Sequence, residues 1–235
     1  MSAARRAARA GRNLLIALLV GAVIIVAIVV AYVAGRGTDT TTATPSSTAL
    51  SVSASPTTGS STDTDSAPTG CLGGAARTNA MLLTAQKSAP HTTYGAVEVA
   101  TAFYRWSYRY PVPTPADIRA VGAVFVPKQA SKSEASLQSD YARNPNPSGD
   151  VVKDGAPFYL STATGQWTAQ SGGTASEQLI SVQAAFVVDG AVSATESTTE
   201  AFTMRWVDGA WRVVGVAKSD PAKVAAGGTA FTAGC

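Results

Sequence analysis

One histidine and two cysteines are all that this 235-residue chain holds of the usual soft metal ligands. A closed zinc site needs four Cys or His ligands, so none can form here. The patterns Gly-x-Ser-x-Gly, His-Glu-x-x-His, Cys-x-x-Cys and the P-loop are absent. His91 follows Pro90 at an expected loop-to-helix junction and reads as a loop residue rather than a general base. Carboxylate pairs are few. Asp150 and Asp154 sit in a loop, and Glu196 and Glu200 share one face of an expected strand with Thr198. That face reads as solvated. No catalytic residue, metal ligand or cofactor site is assigned, and the chain reads as a non-enzyme.

Charge is scarce too, at 14% of residues. The formal net charge of +3 comes from Arg5, Arg6, Arg9 and Arg12; without them 14 basic residues face 15 acidic ones. Such a balance gives no support to nucleic-acid binding.

What the chain does have is one long apolar run. Residues 14–34, LLIALLVGAVIIVAIVVAYVA, contain no charge and no proline. As a helix they would measure about 31 Å, the thickness of a bilayer core. The arginines before them predict a cytoplasmic tail over 1–13, a signal anchor over 14–34 and an extracytoplasmic remainder in a single-pass cell-membrane protein. A cleaved signal peptide would have a shorter apolar core and a better exit site. Residues 35–70 then read as a disordered linker. Between 38 and 69 they hold eleven Thr, eight Ser and three Pro, too little apolar surface to offset ordering entropy.

Residues 71–235 form the expected extracytoplasmic domain, with Cys71 and Cys235 at its two ends. In an oxidising compartment that placement favours a disulfide; free thiols or intermolecular pairing are the alternatives. Helical periodicity covers 74–88 and, more strongly, 94–110, where Ala96, Val99, Ala100, Phe103, Trp106 and Tyr110 share one face. Glu98, Thr101, Arg105 and Arg109 make the polar stripe opposite. Thr114 before Pro115 is an expected N-cap, and Ser131 to Glu134 an expected capping box. Strand patterns follow at 158–163, 166–170, 179–188, 192–207 and 211–217. Asp189-Gly190 and Asp208-Gly209 supply hairpin turns. The second turn places Trp206 opposite Trp211 and Met204 opposite Val213. Helices followed by an antiparallel meander make an α+β fold.

The ending Trp206-Val207-Asp208-Gly209-Ala210-Trp211, behind the long helix and the apolar run, resembles nuclear-transport-factor-2-like domains. The resemblance implies helices packed on a strongly curved antiparallel sheet. Its membrane-anchored members include the assembly subunit of type IV secretion and conjugation systems and the actinobacterial Mce-associated membrane proteins. It implies an envelope scaffold acting by protein contacts, with other envelope or secretion proteins, or a second copy in a homo-oligomer, as partners. The alternatives are a binding module for a lipid or small apolar ligand and, less favoured, a small enzyme of the same fold. A ligand site predicts an apolar pocket of roughly 300 Å³ or more beside Phe103 and Trp106, with Tyr104, Tyr108, Trp206 and Trp211 as further candidate lining residues.

Overall fold

The computed structural model describes residues 66–235. The strongest local signal becomes its central helix. Helix α1 spans Asn79–Ser88, and α2, the central one, spans Thr93–Ser107. The Thr92 hydroxyl accepts a hydrogen bond from the Gly95 N–H at 3.1 Å and caps α2. Gly95 is required there. A Cβ at that position would lie 2.0 Å from the Pro90 carbonyl oxygen. That oxygen also accepts the indole N–H of Trp211. Both faces of α2 are buried: every residue from Gly95 to Ser107 is shielded from solvent. Glu98 and Arg105 of the polar stripe expected to face water are instead covered by the segment 68–76, and Arg109 lies beyond the helix end.

Helix α3 (Pro115–Ala120) opens with a complete capping box between Thr114 and Asp117. A short 3₁₀ turn at Pro127–Gln129 leads into α4 (Ala130–Arg143). The expected capping box at Ser131 is not used. The helix starts two residues earlier, with Gln129 in the cap position and no side-chain cap. No residue of α4 is buried. It is held by Leu137 and Tyr141, which pack on the core edge, and by the Tyr141 hydroxyl, which donates to the Ser107 carbonyl at 2.7 Å.

The strands are β1 (Phe158–Thr174), β2 (Glu177–Val188), β3 (Ala191–Val207), β4 (Ala210–Ala217) and β5 (Thr229–Ala230). They form one sheet in the order β4-β3-β2-β1-β5, antiparallel throughout. β1 is one continuous strand where two short ones were expected. Its pairing with β2 slips between Ser161 and Gln166, and this interruption breaks the alternating pattern in the sequence. Asp189-Gly190 and Asp208-Gly209 both take positive φ (51°/78° and 51°/75°), the geometry of two-residue hairpin turns. Trp206 pairs with Trp211, Met204 with Val213 and Arg205 with Arg212. Arg205 turns sideways to the Glu177 carboxylate on β2, with its Nη2 at 2.9 Å. A last helix, α5 (Pro221–Gly227), buries Val224. The core lies between α1–α2 and one face of the sheet, with Phe103, Trp106, Phe125, Ile180, Phe186, Phe202 and Trp211 within it.

The segment 68–76 and the C-terminal Cys235 meet on the far side of α2. Cys71 and Cys235 form a disulfide with Cα atoms 5.5 Å apart. The Glu98 carboxylate, only 8% exposed, accepts from the backbone N–H groups of Thr69, Gly70 and Leu72 and from the Thr69 hydroxyl. Arg105, wholly buried, donates to the carbonyls of Gly70, Gly74 and Ala75. Burial lowers its guanidinium to about 10. Arg77 donates to the carbonyls of Leu160 and Cys235 and lies over the Tyr159 ring at 4.1 Å.

Several expectations are corrected. The α+β class with an antiparallel sheet is present, but the nuclear-transport-factor-2-like reading needs a sheet strongly curved around its helix. The observed sheet is an open, uncurled layer with edges at β4 and β5. With that reading goes the likeness to type IV secretion and conjugation subunits and to Mce-associated membrane proteins. The single-pass membrane anchor has no counterpart among the described residues, where no helix is long and apolar enough to cross a membrane. The longest, α2, has 15 residues and carries Glu98 and Arg105. Residues 1–65, on which the cytoplasmic tail, the signal anchor at 14–34 and most of the linker rest, lie outside the described residues. The membrane localisation and the envelope-scaffold role depended on that anchor and are not carried further.

Candidate functional site

Helix α4 stands away from the core, and a cleft of about 600 Å³ opens beneath it. Phe103, Tyr104 and Ser107 of α2, with Tyr108 at its C-cap, line one wall. Lys132, Ser133, Ser136, Leu137, Asp140 and Tyr141 of α4 line another. The floor is Phe125 with Glu200 and Phe202 of β3 and Val213 to Val216 of β4. The volume lies in the range of small-molecule sites.

The local sequence explains the shape. β3 runs longer than β4: their pairing stops at Ala201 and Ala217, so Glu200 projects past the end of β4. Between Thr203 and Met204 the register shifts, leaving Val214 without an opposite residue and bending this sheet edge. Val216 pairs with Phe202 and shares its face, yet it is 66% exposed. On α4 the small side chains of Ser133 and Ser136 leave space that larger residues would fill.

Phe103 and Tyr104 meet their phenylalanine neighbours edge to face, and Tyr104 and Tyr108 are tilted against each other. Phe103 meets Phe125 at 5.7 Å and Phe202 at 5.6 Å between ring centroids. Tyr104 meets Tyr108 at 5.2 Å and Phe202 at 5.7 Å. The Tyr104 hydroxyl donates to the Thr198 hydroxyl at 3.0 Å. Burial raises the Tyr104 and Tyr108 phenols above their ordinary range, and the nearby Glu200 carboxylate adds to both shifts. Burial likewise raises Glu200 above the usual carboxylate value. Among the described residues its only hydrogen bond accepts the N–H of its neighbour Ala201 at 3.2 Å, and no cation there pairs with it. Asp140, on the opposite wall, is paired with Arg143.

Of the six aromatic residues singled out in the sequence, Phe103, Tyr104 and Tyr108 line the cleft. Trp106 faces the core, its indole N–H donating to Asn79 at 2.8 Å. Trp211 is buried beside Pro90. Trp206 stacks on His91, with rings 4.3 Å apart and 13° from parallel. The α4 wall, Phe125 and the part played by Glu200 were not read from the sequence. Glu200 shares a strand face with Phe202 and Thr198, and that spacing was the available signal. Glu196 on the same face is exposed and lies outside this cleft. Among the described residues no group of three His, Cys, Asp or Glu side chains could hold a metal ion. No protein-family model matches the chain, and no curated protein or solved structure is significantly similar to it.

Proposed function

We propose that the domain is a non-catalytic binding module that holds a small, largely apolar molecule in the cleft between α2, α4 and the β3–β4 edge. The observation that carries this reading is the cleft of about 600 Å³ with Phe103, Phe125, Phe202, Leu137 and Val213 among its lining residues. An α-helix with no buried residue is a weak addition to a core. As the wall of a site it gives the apolar floor its cover and leaves one side open for entry. Hydrophobic burial would supply the binding free energy at about 25 cal/mol per Å² removed from water, less the cost of immobilising the ligand.

The test is calorimetric titration of the full chain with 4-butylbenzyl alcohol, an uncharged probe of suitable shape. Saturable one-site binding with a negative heat-capacity change is expected. Val216→Trp places an indole over the cleft from an exposed position, without removing a core contact, and should abolish binding while leaving the fold intact. No binding, or binding that Val216→Trp does not change, would overturn the reading.

A further inference from the structure

We infer that the molecule this cleft takes carries a protonated amine on its apolar body, and that Glu200 with the Tyr108 ring receives that ammonium group. The inference rests on the binding-cleft reading and adds the class of ligand. Three features converge on it. Glu200 is a carboxylate on a cleft floor otherwise formed by Phe125, Phe202 and Val213 to Val216, and among the described residues its one hydrogen bond is to the adjacent backbone. An ionised carboxylate is an acceptor only, with room for several donors, so most of its capacity is open to a ligand. The half-buried Tyr108 ring lines the same cleft, and the aromatic π-face attracts a cation. Tyr104 beside it is wholly buried, its hydroxyl committed to Thr198, and it backs the Tyr108 ring at 5.2 Å.

The other charged and titratable groups on the cleft leave Glu200 unpaired. From α2 and its C-cap, Tyr104 and Tyr108 lie near Glu200. From α4 come Lys132, Asp140 and Tyr141. Asp140 is neutralised by Arg143, Tyr141 is bonded to Ser107, and Lys132 forms no ion pair with Glu200. From β4 the lining residues are Val213, Val214, Gly215 and Val216, none of them charged. Nothing in the described structure therefore occupies the place of the missing cation. A carboxylate retained half-buried without a partner weakens the fold, which fits a residue kept for a ligand.

The experiment compares three probes with one body on the full chain: 4-butylbenzylamine, 4-butylbenzyl alcohol and 4-butylbenzoate. Binding is counted as cleft binding only where Val216→Trp abolishes it. The amine should bind about tenfold or more tighter than the alcohol, the scale of a hydrogen bond to a charged group, and the carboxylate should bind weakest. In Glu200→Gln the amine-to-alcohol ratio should fall close to one. In the wild type the same ratio should fall as pH is lowered through the titration of Glu200, which does not depend on any variant folding. Equal binding of amine and alcohol, a ratio that survives Glu200→Gln, or tightest binding of the carboxylate would overturn the ammonium assignment and leave the cleft reading in place. No cleft binding of any probe would overturn the cleft reading itself.

Discussion

Glu98 offers the sharpest test of how the chain ends are fixed to α2. Its two carboxylate oxygens accept from three backbone N–H groups and one hydroxyl of residues 69–72. The Gly70 N–H is buried, so it finds no water when the acceptor is removed. Leaving one buried donor unpaired costs about 1–3 kcal/mol, and hydrogen bonds to a charged group are each worth about 1.5–3 kcal/mol net. The four donors share one carboxylate, so their contributions do not add. Glu98→Ala should therefore cost about 4 kcal/mol, and Glu98→Gln, which keeps one acceptor oxygen, about 2 kcal/mol. A domain of this size has about 5–15 kcal/mol in all. Arg105 holds the carbonyls of the same segment, so the loss should unfasten residues 68–76 as a unit. Urea unfolding of the two variants with the disulfide intact measures the change. Hydrogen exchange at Gly70 and Leu72 reports whether the segment has come free. A Glu98→Ala variant within about 0.5 kcal/mol of wild type, the range of an ordinary surface substitution, would refute the reasoning.

Further outcomes follow from the same structure. Replacing Cys71 and Cys235 with Ser opens a loop with a sequence separation of 164 and should lower stability by about 2–5 kcal/mol in urea unfolding; an unchanged midpoint would mean that the hydrogen bonds of Glu98 and Arg105 alone fix residues 68–76. Glu200 has its folded value raised above 4.5 by burial, so its contribution to stability is fully present below that value and is lost as pH rises through the folded one. Glu200→Gln should thus be more stable than wild type at pH 7 and indistinguishable from it under acid conditions; a less stable variant at pH 7 would show that the carboxylate supports the fold. Tyr104, Tyr108 and Tyr141 are all raised above 10.0, chiefly by burial. The neutral phenols stabilise the fold below pH 10, and that contribution is lost as pH rises further. Absorbance titration near 295 nm should show these tyrosines ionising late, together with unfolding; full ionisation near pH 10 in the folded protein would contradict their burial.

Periodicity and turn chemistry carried much of the fold. The Asp-Gly hairpins and the pairing of Trp206 with Trp211 follow from local rules, because a two-residue turn fixes the register of its strands. The apolar arc of α2 was legible for the same kind of reason. The opposite face was not. Glu98, Thr101 and Arg105 look like a solvated stripe, and only tertiary placement of residues 68–76 buries them. The sheet's overall shape depends on how twist and bulges accumulate across strands, so a hairpin motif could not settle it, and the curved fold drawn from resemblance was corrected. The α5 helix had a signal in Asp220 before Pro221, where the Asp220 carboxylate caps the Lys223 N–H. The cleft was half legible. Phe103, Tyr104 and Tyr108 lie on an obvious helix, whereas α4 forms its other wall because it fails to pack, and periodicity does not report a gap.

The central claim is that the space under α4 is a binding site. Methyl resonances of Leu137, Val213 and Val216, followed while the full chain is titrated with 4-butylbenzylamine, test it most directly. The account predicts that all three shift together along one saturating curve, while those of Leu82 and Val97 in the core on α1 and α2 stay in place. Saturation without movement of the three cleft methyls, or movement centred elsewhere, would contradict it.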